Sequence, residues 1–168
     1  MKKAAPHRKK QPPIKLLLLD VDGVMTDSGV YYSNAGDEFK KFNIQDGYGI
    51  VKLQRIGVKV GILTGRVSQI VARRAAELGI SEIHQNLENK LEVYEQIKQR
   101  LNLRDEEIAY IGDDEPDIAV LKKVGLSACP ADGFVAAKKY AKHVTKCRGG
   151  EGAVREVVEL ILKRNGQT

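Results

Sequence analysis

The chain has 168 residues, about one ordinary domain's worth, with 42% hydrophobic and 30% charged residues, a balance suited to a globular protein with a packed core. No apolar run approaches the roughly 20 residues that span a bilayer. The longest, residues 14–19, is interrupted by Lys15 and stops at Asp20, so neither a membrane span nor a signal-peptide core is expected. The net charge of +6 is concentrated: Lys2, Lys3, Arg8, Lys9 and Lys10 lie in the first thirteen residues, which hold no acid, and the rest of the chain carries +1. We therefore expect a basic, disordered tail over residues 1–13 and a single domain over 14–168. Trp is absent and the nine Tyr and Phe residues are scattered, so nucleic acid is not the expected partner. Cys129 and Cys147 lack metal-ligand spacing and read as reduced thiols of a cytoplasmic protein.

In chain order, residues 14–19 form a continuous apolar run, the pattern of a strand buried on both faces of a parallel sheet. Residues 30–32 and 38–42 flank Ser-Asn-Ala-Gly and predict a β-hairpin. Helical periodicity follows over 47–56, then a strand over 58–63 and a helix over 68–78. A short strand over 82–84 precedes a helix over 90–101. A strand over 108–111, a helix over 117–124, a strand over 126–128, a helix over 133–140, a strand over 143–145 and a helix over 153–163 complete the chain. Gly57, Gly79 and Gly125 each follow a helix, where a left-handed C-cap is expected. Such repeated strand–helix units give an α/β fold with a doubly wound, open parallel sheet, here with a β-hairpin insertion.

In such sheets ligands bind beyond the carboxyl ends of the strands, near the point where strand order reverses. The first strand ends in Asp20-Val21-Asp22-Gly23-Val24-Met25-Thr26-Asp27, the second in Thr64-Gly65-Arg66, and the fourth in Gly112-Asp113-Asp114-Glu115-Pro116-Asp117; Lys90 opens the helix after the third. Carboxylates converging there repel one another and require a cation. With no paired His or Cys, the donor set selects a hard ion, Mg²⁺ first. Thr64 and Lys90 add a hydroxyl donor and a positive charge, so the set suits a phosphoryl group. Plainer readings exist for some members. Thr64 could cap a helix, Lys90 could be a solvated helix residue, and Asp114 and Asp117 could serve a helix N-terminus.

These segments resemble the haloacid dehalogenase superfamily of phosphotransferases, whose DxDGxxT signature is matched by DVDGVMTD; the resemblance covers nearly residues 14–164. It implies a Rossmann-like fold in which Asp20 is the nucleophile and Asp22 the general acid and base. It implies Mg²⁺ held by the Asp20 carboxylate, the Asp22 backbone carbonyl and Asp113. Thr64, Lys90 and backbone amides around Asp22 and Gly23 would bind the phosphoryl oxygens, while Asp114 and Asp117 would orient metal waters or Lys90. The intervals from Asp20 to Thr64 and from Thr64 to Lys90 leave no room for the superfamily's cap domain. A bare crevice buries little of a small substrate, so either the substrate is large or another subunit supplies the lid.

LLLLDVDGVMTDSGVYYSNAGDEFKKFNIQDGYGI, ILTGR and RGGEGAVREVVELIL are similar to the family of 3-deoxy-D-manno-octulosonate 8-phosphate phosphatases. That resemblance implies a homotetramer whose neighbouring subunits cap the site, and a sugar acid phosphate substrate of lipopolysaccharide biosynthesis. Arg66 is placed to meet the substrate's carboxylate, as an arginine fork suits. Arg148 and Arg155 flank Gly149-Gly150-Glu151-Gly152, which resembles the family's mobile C-terminal segment reaching a neighbour's site. The chain departs from the family in HQNLEN before Lys90, where a glycine and a short polar turn are common, and in Gln45, where a basic residue often stands. A phosphatase for a nine-carbon ulosonic acid 9-phosphate is the same-fold alternative. More remote are a phospho-accepting receiver domain, whose acceptor Asp would end the third strand where this chain has His84-Gln85-Asn86, and a nucleic-acid-associated protein acting through its tail.

Overall fold

Six strands lie parallel in one sheet in the computed structural model, which describes residues 11–167. The basic arm of Lys2, Lys3, Arg8, Lys9 and Lys10 lies outside the described residues. In chain order, β1 (Leu16–Leu19) leads to a separate hairpin of β2 (Tyr31–Tyr32) and β3 (Glu38–Phe39), and then to α1 (Ile44–Arg55). β4 (Lys59–Leu63), α2 (Gln69–Glu77), β5 (Glu82–His84) and α3 (Lys90–Arg100) follow. The second half holds β6 (Ile108–Ile111), α4 (Ile118–Leu121), β7 (Leu126–Cys129), α5 (Val135–Tyr140), β8 (His143–Val144) and α6 (Ala153–Arg164). The sheet order is β5-β4-β1-β6-β7-β8, so the chain winds outward from β1 on one side and then returns to its other side as β6. That reversal opens a crevice beyond the ends of β1 and β6.

Alternation along β1 explains its unbroken run of leucines. Leu17 and Leu19 pack with Ile50, Leu53, Val71, Val157 and Ile161 on one face of the sheet. Leu16 and Leu18 pack with Tyr94, Ile97, Tyr110, Val120 and Leu121 on the other. Each leucine is fully buried, worth about 1.5–3 kcal/mol apiece.

Several predicted boundaries shift for local reasons. α1 begins three residues before the predicted start because Asn43 Oδ1 accepts the amides of Gln45 and Asp46. The helix predicted over 117–124 shrinks to α4, preceded by a 3₁₀ turn over Glu115–Asp117 that Asp114 caps. The hairpin strands are two residues long, closed by Ser33 and Asp37 with Gly36 at φ 90°. Gly57 and Gly79 take the expected positive φ, but Gly125 does not. Gly125 lies against the Glu106 backbone, where a Cβ would come within 2.4 Å of its carbonyl oxygen, so close approach rather than a left-handed turn demands glycine there.

Candidate active site

The crevice beyond β1 and β6 measures about 370 Å³ and is lined by Asp20, Asp22, Thr64, Arg66, Lys90, Asp113, Asp114 and Asp117, so most of the residues singled out in the sequence meet there. Carboxylate oxygens of Asp20, Asp113 and Asp117 lie within 4.8 Å of one another. β1 delivers Asp20, whose backbone N–H continues the sheet by donating to Ile111 O (3.0 Å). Its Oδ1 accepts the Val21 amide (2.7 Å) and its Oδ2 lies 2.6 Å from Lys90 Nζ.

Lys90 stands at the first position of α3, which Asn89 caps by accepting the Leu91 and Glu92 amides. The departure HQNLEN is accommodated without loss of this geometry. Asn86 takes φ 59°, a conformation that asparagine tolerates better than most residues. Gln85 accepts the Ser68 amide, and the Leu87 amide donates to Thr64 O. Glu88, from the same segment, lines the crevice.

Asp117 is fully buried and its oxygens are occupied. Lys90 Nζ (2.6 Å) and the Tyr110 hydroxyl (2.5 Å) donate to Oδ1, and the Asp113 and Asp114 amides (2.8 and 3.1 Å) donate to Oδ2. It orients Lys90 and the loop that carries Asp113. Asp114 turns its carboxylate to the Glu115 amide as a cap.

Charge in this corner is unbalanced. Burial first, then the Asp117 carboxylate, push Asp20 up to about 7, with Lys90 opposing. Burial, then Asp20 and Asp117, push Asp113 up to about 8. Burial alone would lower the Lys90 ammonium, yet the two carboxylates beside it hold it above its ordinary value. One lysine among three close carboxylates leaves an excess of negative charge on oxygen donors, which fits a hard divalent cation.

Gly23 is required twice over. Its φ is 84°, and a Cβ there would fall 2.1 Å from Asp113 Oδ2. Its amide, expected to face a phosphoryl oxygen, instead donates to Thr26 Oγ1 at 3.3 Å. Behind this loop lie Gly149 and Gly150, with Gly150 N–H donating to Val24 O (3.0 Å). A Cβ on Gly149 would sit 2.0 Å from Gly23 O. The RGGEG segment, likened to a mobile arm reaching a neighbour's site, packs here as a buttress under the Gly23–Asp27 loop of its own chain.

Two residues expected on the segment that reaches a neighbour's site stay outside the crevice of their own chain. Arg148 is exposed and pairs with Asp132 (Nε–Oδ2 3.3 Å). Arg155 pairs with Glu159 and stacks over Tyr48, with its amide held by buried Asp46. Conversely, Lys40 had no part in the sequence reading, yet its Nζ lies 2.5 Å from Asp22 Oδ1. Alternation places Lys40 inward and Lys41 outward, but only the tertiary fold shows which face of the hairpin meets the crevice.

A family model for haloacid dehalogenase-like hydrolases matches residues 49–125. The chain is 43% identical over 158 residues to 3-deoxy-D-manno-octulosonate 8-phosphate phosphatase KdsC of Escherichia coli K12, covering 94% of this chain and 84% of that protein. The crystal structure of the phosphatase of the same name from Yersinia pestis superposes with a TM-score of 0.89 at 44% identity, covering 92% and 83% of the two chains. That from Moraxella catarrhalis, solved with magnesium ion, phosphate ion and KDO, superposes with a TM-score of 0.89 at 40% identity, covering 91% and 88%. With these likenesses added to the strand-end geometry, the chain belongs to the haloacid dehalogenase-like hydrolases, in the 3-deoxy-D-manno-octulosonate 8-phosphate phosphatase family, and is a phosphoric monoester hydrolase.

Proposed function

We propose that this enzyme hydrolyses 3-deoxy-D-manno-octulosonate 8-phosphate to the free sugar acid and inorganic phosphate in lipopolysaccharide biosynthesis, with Mg²⁺ as cofactor. The carrying observation is the convergence of the Asp20 and Asp113 carboxylates, with Lys90 and Thr64, on one strand-end crevice. The Asp20 carboxylate, the Asp22 backbone carbonyl and Asp113 would hold the ion, which when bound neutralises the carboxylates and the charge developing on the transferred phosphoryl group. Asp20 attacks phosphorus to form an aspartyl-phosphate, and the sugar's oxygen leaves with a proton from Asp22. Asp22 then takes a proton from water, whose oxygen attacks the aspartyl-phosphate and releases phosphate and free Asp20. Lys90 and Thr64 hold the phosphoryl oxygens through both steps.

Arg66 reaches the crevice beside the hairpin, its Nη2 3.0 Å from Glu38 Oε1, and binding a substrate carboxylate requires it to exchange that partner. The hairpin next to it exposes Val30, Tyr31, Tyr32 and Phe39. Such apolar exposure supports a homotetramer assembled through the hairpins, with neighbouring subunits covering the crevice. Among the described residues no helix is long and apolar enough to cross a membrane. The free thiols of Cys129 and Cys147 suit a cytoplasmic enzyme.

The test is phosphate release from eight- and nine-carbon sugar acid phosphates with Mg²⁺ and with chelator. Turnover is expected on the eight-carbon ester, lost on chelation. Asp20→Asn should lower kcat on the order of 10⁵-fold or more. Substantial turnover by that variant overturns the nucleophile, and a preference for the nine-carbon ester reassigns the sugar.

A further inference from the structure

We infer that Lys40 is a positioning residue, which by pairing with Asp22 sets where that carboxyl group meets the leaving oxygen of the substrate. The inference rests on the phosphatase reading above. Lys40 follows β3 on the peripheral hairpin, where a lysine would ordinarily extend into water. Instead only 1% of its side chain is exposed, against 55% for its neighbour Lys41. Ordering a four-carbon stem in this way costs rotamer entropy, so the partner it reaches must compensate. That partner is Asp22, with Nζ 2.5 Å from Oδ1, and Glu38 Oε1 lies 3.5 Å away on the other side. Glu38 is in turn fixed by Arg66 Nη2 (3.0 Å) and by the Ser68 hydroxyl (3.2 Å).

Among the described residues, no other group donates to the Asp22 carboxylate. The sheet and α3 fix the nucleophile, whereas the proton-transfer group is gripped from the hairpin. A misplacement of about 1 Å in such a group costs roughly 10²-fold in rate. The loss should depend on the leaving group, because an alkoxide needs a proton from Asp22 and a nitrophenolate does not. A general disturbance of the crevice would lower both substrates together.

The experiment compares kcat/KM of wild type and Lys40→Met, with Mg²⁺, on the eight-carbon sugar acid phosphate and on p-nitrophenyl phosphate. This parameter covers steps through departure of the leaving group and excludes hydrolysis of the aspartyl-phosphate, which both esters share. The alkyl ester should fall about 10²-fold and the aryl ester less than about 5-fold. Equal losses on the two esters, or no loss on either, overturn the role of Lys40. If Lys40→Met does not fold, Glu38→Gln carries the test; loosening Lys40 from its other side should still raise the aryl-to-alkyl ratio about threefold, and an unchanged ratio overturns the inference. A wild type inactive on both esters overturns the phosphatase reading and this inference with it. A wild type active on both, with non-discriminating variants, overturns the inference alone.

Discussion

Two lysines in this molecule each sit between two carboxylates at one crevice, and they are held in different ways. Lys90 lies 2.6 Å from both Asp20 and Asp117, on a capped helix start packed into the interior. Lys40 lies 2.5 Å from Asp22 and 3.5 Å from Glu38, on a hairpin whose strands are two residues long. The first wall is built by the core, since Asp20 continues β1 and Asp113 follows β6. The second is attached to the core mainly through side chains, by Arg66 and Ser68 reaching Glu38. The wall that holds Asp20 therefore belongs to the domain itself. The wall that holds Asp22 depends on a peripheral element with an exposed apolar face.

Replacing each lysine by methionine measures that difference most directly. Lys90→Met leaves Asp20 and Asp117, whose side chains are 12% and 0% exposed, without their cation. Breaking such a buried pair costs about 3–5 kcal/mol. In metal-free protein at pH 8, Tm should drop by about 10 °C. The partners of Lys40 are 25% and 22% exposed, so water can replace much of what Lys40→Met removes, and the cost should stay near 1 kcal/mol or less. Thermal melts of the two variants check the contrast, and equal losses would show that the hairpin wall is as much part of the core as the other.

Tyr110→Phe probes the fixed wall more gently. The Tyr110 side chain is fully buried and its hydroxyl donates to Asp117 Oδ1, which keeps Lys90 and two backbone amides as further donors. Hydrogen bonds to charged groups contribute about 1.5–3 kcal/mol, so Tm should fall by roughly 5 °C. Since Lys90 and the Asp113 loop keep their own bonds to Asp117, kcat should fall less than about tenfold. A melt unchanged from wild type would mean that Asp117 is secured without the tyrosine.

The fixed wall was also the legible one. A strand that ends in acids and a helix that opens on lysine are local patterns, and the parallel-sheet rule alone brings Asp20, Asp22, Thr64, Lys90 and Asp113 to one side. What stayed hidden depends on packing between distant segments. The resemblance gave Asp117 the task of orienting metal waters or Lys90, and only the tertiary placement of Tyr110 shows the second donor that anchors it. Lys40 and Lys41 are indistinguishable in sequence until the hairpin is seated on the crevice. Gly149-Gly150 were likened to a mobile arm only through the family resemblance, and a pair of glycines by itself signals freedom as readily as close approach. Here contact with Gly23 O and with the Thr26 and Asp27 backbone decides for approach.

The smallest expected effect, the response to pH, follows from what the fixed wall confines. Asp20 and Asp113 sit at about 7 and 8 in the folded protein, against 3.8 as the ordinary value. Between those limits the folded state holds protons that the unfolded state has released, so metal-free stability must fall as pH rises through this window. Glu107, held down at about 2 first by Lys15, acts only below its ordinary value of 4.5 and is silent there. We expect the metal-free Tm to fall by at least about 3 °C from pH 5.5 to 8, the shift that about 1 kcal/mol produces at this size. Mg²⁺ should raise Tm more at pH 8 than at pH 5.5, because Asp20 and Asp113, the ligands proposed above, need no longer give up protons to bind it. Asp113→Asn should flatten the metal-free profile and remove most of the magnesium response. A metal-free Tm that climbs across this window would mean that the two carboxylates do not meet as closely in solution as this crevice holds them.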